Sequence, residues 1–585
     1  MERLKPVDVV IVGGGWSGLL MAKEIATRTA LSVVVLERGA PRKPSDYMED
    51  MDEVDYVLRF RMLQNIADET ITHRHSPDTA AAPIRQHGGF HPGAGLGGAG
   101  EHWTGSTFRF MPDVFRLATH WREKYGKSRV LPEDLALQDW GIAYNELEPY
   151  YWRAEQLLGV SGKAGNVRGQ LQEGGNIFEG ERSHEYPTPP HKTSYACSLF
   201  QKAALELGYH PFPEPAATVS QNYTNPDGIT RPACLYCGYC QWFGCMVGAK
   251  AQPTNTLLPI LRKRANFALR THSWVRRVVH QEGRAKGVEY VDRATGRELI
   301  QPAGVVILAS WTMNNPRLLM LSRIGEIYNP QTGKGTIGRN ITYQGGSSTS
   351  VFFDRPLNSF MGAGGLGMAF ADMDGDRVPP DSGLLRGGIV MLSTYGNRPI
   401  ASFGVFPPGE TKANWGWEWK RTALRWHDKA AMIGFHCEHL PYRGHALDLD
   451  PTYTDCFGDP LVRLTMDWTD YERRQWAFGT KVHHHLAKVM NAKPGVSKRM
   501  GSDRMIFSEY GGTHVQGGAI LGDSPERSVV NTFMQHWQMP NLWVVGASCF
   551  PNNGAPNPTL TVLALVYRAA DAFVDRYQKH PETLL

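Results

Sequence analysis

No run of apolar residues in this chain approaches the roughly 18–20 needed to cross a bilayer, so no segment is expected to span a membrane. Neither a secretory leader nor a twin-arginine signal is expected. The start, Met1-Glu2-Arg3-Leu4-Lys5-Pro6-Val7-Asp8, passes straight into a strand pattern. Alone, the chain reads as cytoplasmic; a periplasmic or inner-membrane-associated location would need co-export with a partner subunit. Charge of one sign is also scarce. Lys and Arg (62) exceed Asp and Glu (57) by only 5 and form no basic run, which argues against nucleic acid. Cysteine is sparse at eight residues, and Cys197, Cys437, Cys456 and Cys549 are scattered, unlike a disulfide framework. Glycine (62) and proline (38) are plentiful, so turns and long loops are expected, and 585 residues leave room for more than one domain.

The other four cysteines fall within twelve residues: Cys234-Leu-Tyr-Cys237-Gly-Tyr-Cys240-Gln-Trp-Phe-Gly-Cys245. Such spacing lets one loop, about 231–250, wrap a single metal centre. Ferredoxin-type iron–sulfur loops use Cys-x2-Cys-x2-Cys-x3-Cys, one residue shorter at the end. Structural zinc usually takes two separated Cys-x2-Cys knuckles, and disulfides need an oxidising compartment. From spacing alone, all three remain open.

At the amino end, Val7 to Val12 is a buried-strand pattern. It runs into Gly13-Gly14-Gly15-Trp16-Ser17-Gly18, a helical segment Leu19 to Thr27, and a second strand Ser32 to Leu36 ending at Glu37-Arg38. This is the complete dinucleotide fingerprint. Gly13 permits the tight turn, Gly15 lets a pyrophosphate approach the helix's positive end, and Gly18 lets helix and strand pack closely. Glu37 is placed to take ribose hydroxyls. The fingerprint does not separate FAD from NAD.

A second glycine-rich run, His91-Pro92-Gly93-Ala94-Gly95-Leu96-Gly97-Gly98-Ala99-Gly100-Glu101-His102-Trp103-Thr104-Gly105, would bring backbone close to a large flat ligand. With Val305 to Ser310, Asn315-Pro316-Arg317-Leu318-Leu319, Ser322 to Gly325 and Gly338-Arg339-Asn340, it resembles the glucose–methanol–choline (GMC) oxidoreductases, FAD enzymes acting on alcohols and sugars. The resemblance covers both ends and the middle and is weak from about 346 to 509. It implies a mixed α/β fold: a Rossmann-like FAD-binding domain (1–345 and 510–585) interrupted by a substrate domain on an antiparallel sheet (346–509). It also implies flavin contacts at Trp16, Ser17, Arg38, Gly97, Gly98, Trp103, Thr104, Val275 and Ala309. Gly97 to Thr104 further resembles the pyranose-oxidase branch, where the histidine carries FAD covalently. His102 either takes that role or packs on the flavin ring.

Near the carboxyl end, Tyr510-Gly511-Gly512-Thr513-His514, then Val544-Val545-Gly546-Ala547-Ser548, then Gly554-Ala555-Pro556-Asn557-Pro558-Thr559-Leu560-Thr561 resemble the family's carboxyl signature. By that match His514 is the catalytic base and Asn557 its partner. Gly546, Ala547, Ser548, Pro558 and Thr559 lie near the flavin, and a final helix, Leu560 to Tyr577, points its positive end at it. A neutral histidine can take a hydroxyl proton while hydride leaves the same carbon for flavin N5.

Bacterial sugar and gluconate dehydrogenases of this family carry an iron–sulfur cluster in the flavin subunit. The resemblance therefore ranks that cluster first for Cys234, Cys237, Cys240 and Cys245, although the usual Cys-x3-Cys-Pro ending is absent and leaves [3Fe–4S] or [4Fe–4S] open. The implied activity is oxidation of a secondary hydroxyl of a sugar, glycoside or sugar acid, with a small subunit and a haem or quinone acceptor. The rivals are an oxygen-using pyranose-type oxidase and a non-catalytic flavin relay.

Three further patterns invite reading. His483-His484-His485 cannot share one helical face, so surface exposure with one packed histidine is expected rather than a metal site. Asp467-Trp468-Thr469-Asp470 predicts a helix start capped by Thr469 or Asp470. The spacing of Trp415, Trp417, Trp419 and Trp426 predicts a strand with tryptophans on one face. Core packing is favoured for them over a sugar site or partner surface.

Overall fold

The computed structural model describes residues 1–42, 46, 65–85, 93, 95–126, 134–240, 243–359, 367–394, 403–499, 504–505 and 514–585. His91, Pro92, Ala94, Gln241, Trp242 and Tyr510 to Thr513, which belong to motifs quoted above, lie outside the described residues.

The first unit is β1 (Val7–Val12), α1 (Trp16–Arg28) and β2 (Val33–Leu36). The helix starts and ends slightly wider than expected, and the second strand begins at Val33. Four consecutive residues of β1 are buried and all four of β2, the continuous apolar pattern of strands covered on both faces. They pair in parallel, Val9 opposite Val33. The turn into α1 is shaped by two glycines. Gly13 has φ +107°, and a Cβ there would lie 2.4 Å from the Ala309 carbonyl oxygen; a Cβ on Gly18 would lie 2.0 Å from the Gly13 oxygen.

The sheet continues with β3 (Phe267–Arg270), an antiparallel arm of β4 (Ser273–Gln281) and β5 (Arg284–Asp292), and β6 (Arg297–Leu308). The order is β3-β2-β1-β6-β5-β4, with Leu542–Val544 also parallel to β6. The long strand β6 serves both halves. Its first part pairs antiparallel with β5, and its last part lies parallel to β1. This is the mixed α/β dinucleotide architecture expected, with the glycine turn at the carboxyl ends of the parallel strands.

A second, six-stranded antiparallel sheet is built mainly from β7 (Gly345–Phe352), β8 (Met368–Phe370), β9 (Gly388–Thr394), β10 (Ala430–Cys437) and β11 (Lys493–Arg499). Its order is β11-β7-β10-β9-β8, and Phe212–Pro213 adds the outer edge, so the segment before residue 346 contributes one strand. One face packs under α3 (Asp470–Val489), where buried His483 meets the Thr349 hydroxyl at 3.0 Å. His484 and His485 are exposed. Thr469 caps α3: its hydroxyl accepts from Tyr471 N at 3.2 Å, and Glu472 accepts from Thr469 N at 3.0 Å.

The tryptophan-rich segment departs from expectation. Residues Gly416–Trp426 form a helix, α2, not a strand. Its buried positions are Thr422, Ala423 and Trp426, a helical spacing that the alternating tryptophans conceal. Trp426 does pack in the core, edge-on to Phe352, but Trp415 and Trp417 are 81% and 74% exposed. The final helix, α4 (Thr559–Ala572), continues through a wider helical turn to Tyr577. No helix among the described residues is long and apolar enough to cross a membrane.

Candidate active site

The two sheets and the two glycine loops enclose one chamber of about 1150 Å³. That is above the usual range of a drug-sized ligand site and suits a dinucleotide plus a substrate. At one end, Gly13, Gly15, Trp16, Ser17, Glu37, Arg38, Trp274 and Val275 line it. Glu37 is buried, its carboxylate accepting from Gly14 N and Gly39 N at 2.8 Å each. Burial raises its pKa against those two hydrogen bonds. Arg38 lies over the Trp274 ring, 5.4 Å from its centroid, and pairs with Glu69. Gly18 does not face the chamber; its part is the helix–strand contact described above.

The second glycine loop closes the other wall. Gly97 N donates to the Gly14 carbonyl at 2.8 Å, joining the two loops edge to edge. Gly97, Gly98, His102, Trp103 and Thr104 all line the chamber, as do Ala309, Gly546, Ala547, Pro558 and Thr559. Ser548 was expected there and is instead buried behind the wall, its hydroxyl accepting from Asn315 Nδ2 at 2.9 Å. Helix α4 presents its amino end to the chamber through Pro558, Thr559 and Val562, with no acidic side chain in its first turn. Its unpaired N–H groups and dipole favour negative charge there.

His514 and Asn557 meet in this chamber, Asn557 Nδ2 lying 3.2 Å from His514 Nε2. The second partner of His514 is Gln344, whose Oε1 accepts from Nδ1 at 2.5 Å. The orientation of Gln344 follows from its amide group, which donates to the Ala555 carbonyl and, at 3.4 Å, to Gly554 O. With Nδ1 carrying the proton, Nε2 keeps its lone pair toward the chamber. That lone pair accepts from the Asn557 amide, so an incoming hydroxyl would replace the amide at Nε2 and leave it free to donate to the hydroxyl oxygen; Asn557 Oδ1 is buried without a hydrogen-bond partner. Burial, followed by nearby His436, pushes His514 down to about 3.

The sign of that shift matters. A base must be neutral to act, and a depressed folded-state value keeps it neutral until the pH falls far below the ordinary 6.5. The kcat/KM profile should therefore show no acid limb from His514 between about pH 5 and 8. Gln344→Leu would leave Nδ1–H without its acceptor, an expected loss of about 1–3 kcal/mol in the productive tautomer, or about 10–100-fold in kcat/KM at unchanged FAD content. A variant with wild-type kcat/KM would show that Gln344 does not set the tautomer.

The open face of the second sheet forms the floor. Gly346 and Ser348 on β7, Met391 and Ser393 on β9, and Met432, Gly434 and His436 on β10 line it. His436 is held neutral by burial, down to about 4, and its Nδ1 has no partner. Neither Gln344 nor His436 was singled out from sequence. Gln344 sits four residues past the Gly338-Arg339-Asn340 turn, a signal that could have flagged it; His436 is one residue in an ordinary strand.

The cysteine loop lies directly behind the second glycine loop. Cys234, Cys237, Cys240 and Cys245 line one small cavity of about 20 Å³ and are all unbridged. Tyr236 N donates to Cys234 Sγ at 3.3 Å and Lys250 N to Cys245 Sγ at 3.4 Å, bonds that suit charged sulfur ligands. Four thiols about one cavity, with amide N–H groups aimed at two of the sulfurs, are a donor set of the kind that binds metal, although among the described residues no three of the sulfurs lie within 4.8 Å of one another.

Two glycine loops, a helix amino end and a His–Asn pair stand around one chamber, an arrangement that suits a dinucleotide-dependent oxidoreductase. Residues 137–344 match the amino-terminal GMC oxidoreductase model and residues 445–565 the carboxyl-terminal one. The chain is 39% identical to the gluconate 2-dehydrogenase flavoprotein of Pantoea cypripedii, over 100% of this chain and 96% of that protein. It is 24% identical to the fructose dehydrogenase large subunit of Gluconobacter japonicus, over 97% and 98%. Among solved structures, a formate oxidase variant of Aspergillus oryzae superposes with a TM-score of 0.61 at 16% identity, covering 99% of both chains, which shows the shared fold. The chain belongs to the GMC oxidoreductase family, and FAD is the cofactor its chamber fits.

Proposed function

We propose that the protein is an FAD-dependent dehydrogenase that oxidises a secondary hydroxyl of a sugar, glycoside or sugar acid. In this reading it resembles a gluconate 2-dehydrogenase or a glucoside 3-dehydrogenase and passes electrons through an iron–sulfur centre at Cys234, Cys237, Cys240 and Cys245. The observation that carries it is the His514–Asn557 pair, oriented by Gln344 in a chamber whose other end is a complete dinucleotide cradle. Similarity along the whole chain to a gluconate 2-dehydrogenase flavoprotein supports the substrate class.

The residues divide the work as follows. The Asn557 amide and His514 Nε2 grip the substrate hydroxyl oxygen and its proton, fixing which carbon faces the flavin position. His514 Nε2 then takes the hydroxyl proton, while Gln344 steadies the positive ring by accepting from Nδ1. The floor serines, Ser348 and Ser393, offer hydroxyls to the remaining oxygens of a polyol. When bound, FAD supplies the two-electron hydride acceptor. His102 lies on the chamber wall, where it could reach the flavin ring edge as a covalent carrier. When bound, the cluster supplies single-electron transfer toward a haem or quinone partner, reached with a small subunit that also accounts for location.

An anaerobic assay tests this. Gluconate, glucose and a glucoside are each mixed with the oxidised enzyme, and the reduced enzyme is then mixed with oxygen or with a quinone-type acceptor. At least one sugar should bleach the flavin, with the quinone reoxidising it at least tenfold faster than oxygen. Fast reoxidation by oxygen would establish the oxidase reading instead.

A further inference from the structure

We propose that Lys250 is the built-in countercharge of the cysteine-loop centre and the brace that fixes that centre against the flavin-facing loop. The proposal rests on the reading above that the four cysteines hold a thiolate-bound metal centre. Lys250 is completely buried. Its ammonium donates to three backbone carbonyls: Trp103 O at 2.6 Å, Cys240 O at 2.7 Å and Phe243 O at 2.8 Å. Those three bonds use all its N–H groups, so its hydrogen bonding is complete.

Its charge is another matter. Taking an ammonium out of water costs several kcal/mol unless an opposite charge compensates, and carbonyl dipoles carry no net charge. Among the described residues no carboxylate comes within ion-pair distance of Lys250. Glu101 lies beyond that distance and accepts from Gln252 Nε2 at 2.7 Å and from the Thr254 amide and hydroxyl at 3.1 and 2.9 Å. Burial lowers the Lys250 pKa, and the groups that oppose this loss of charge are, in order, Cys240, Cys245, Glu101 and Cys237. As free thiols the four cysteines carry no charge. Only when they become thiolates around a metal does a negative charge stand opposite the buried ammonium. A fixed cation at that place makes sense as one half of a pair.

The geometry adds the second role. Lys250 touches the loop three times, through its ammonium on Cys240 O and Phe243 O and through its own backbone N–H on Cys245 Sγ. It touches the flavin-facing loop through Trp103 O, and its neighbour Ala251 accepts from the Trp103 indole at 2.8 Å. Trp103 follows His102 and lines the chamber. A single residue thus spans from the chamber wall to two of the four cysteines, beside a second link in which Gln252 joins Cys245 N to Glu101. A lysine that only tied a loop would need its three N–H donors but no negative partner, and this is where the two explanations separate.

The test uses enzyme purified without oxygen. Wild type, Lys250→Met, Lys250→Gln and Lys250→Arg are compared for iron and zinc per chain, for flavin content, and for the midpoint potential of the metal centre in a redox titration followed by EPR. Lys250→Met should lose more than half its metal, a loss at least fivefold greater than any loss of flavin. The centre that remains should have a more negative potential, because a nearby positive charge that favoured the reduced form is gone. Lys250→Arg should keep both metal and potential near wild type. If Lys250→Met does not fold, Lys250→Gln keeps a donor without the charge and must show the same negative shift. Full metal with an unchanged potential in the uncharged variants would overturn the countercharge proposal alone. Wild-type protein with no bound metal and four reactive thiols would overturn both this proposal and the metal-centre reading beneath it.

Discussion

His514→Ala is expected to lower kcat/KM for the substrate by about 10²–10⁴-fold, the usual worth of a positioned general base. The protein should still carry its flavin, since no glycine-loop contact passes through this ring. The physical reason is the loss of a neutral ring that holds a directed lone pair and is backed by a fixed donor–acceptor chain through Gln344. Gln344 would lose its proton donor and Asn557 its acceptor, so both would turn to other partners. His436 stands nearby but lacks such a chain, its Nδ1 having no partner, and should not take over. The decisive readout is flavin bleaching in an anaerobic stopped-flow experiment, which reports the chemical step apart from any downstream acceptor. Bleaching at wild-type rate in His514→Ala would mean that this histidine is not the base, and would revive the reading of the chain as an electron relay.

Gly18→Val should yield protein with less than a tenth of the wild-type flavin content and a lowered melting temperature. A Cβ at this position would meet the Gly13 carbonyl oxygen at 2.0 Å and the Ala309 Cβ at 3.3 Å. Both neighbours belong to the packed crossing of α1 with the sheet, so relief requires the helix to move off the strands. Overpacking of this kind costs about 1–3 kcal/mol, and the amino end of α1 would shift away from the pyrophosphate position at the same time. Gly15→Ala separates the two effects. Its Cβ would have only the Gly97 oxygen near it, at 3.8 Å, so the protein without ligand should melt as wild type does. The added methyl would project where the ligand must come, so flavin affinity alone should fall. Equal melting and equal flavin content in Gly18→Val would contradict the role assigned to this crossing.

Much of this was legible in the sequence because the motifs involved are local. The fingerprint from Val7 to Glu37 depends on strand periodicity and on glycines at fixed offsets, and the structure reproduces it nearly residue for residue. The Thr469 cap was readable for the same reason: its capping partner Glu472 is three residues away. His436 was not readable, because its meaning arises only when β7 and β10 lie side by side and Gly346 faces it across the ladder; Gln344 had only its place just past Gly338-Arg339-Asn340 to mark it. Local patterning also misled at Trp415, Trp417 and Trp419. Their alternation has the period of a strand, but the positions that actually bury, Thr422, Ala423 and Trp426, follow the helix. Lys250 carries no signal at all in a sequence, where it reads as one more surface lysine. Its burial between Trp103 and Cys240 is a property of two loops, 147 and 10 residues away along the chain, meeting in space.

The central claim is that electrons taken from a hydroxyl-bearing carbon at His514 leave through the cysteine loop. The measurement that meets it most directly is an anaerobic titration of the purified enzyme with its sugar substrate, followed at once by visible absorbance and low-temperature EPR. Bleaching of the flavin band should be accompanied, at the same substrate equivalents and without added acceptor, by a change in an iron–sulfur signal. Flavin bleaching with no metal-centred signal at any stage would contradict the claim and leave the cysteine loop without a part in catalysis.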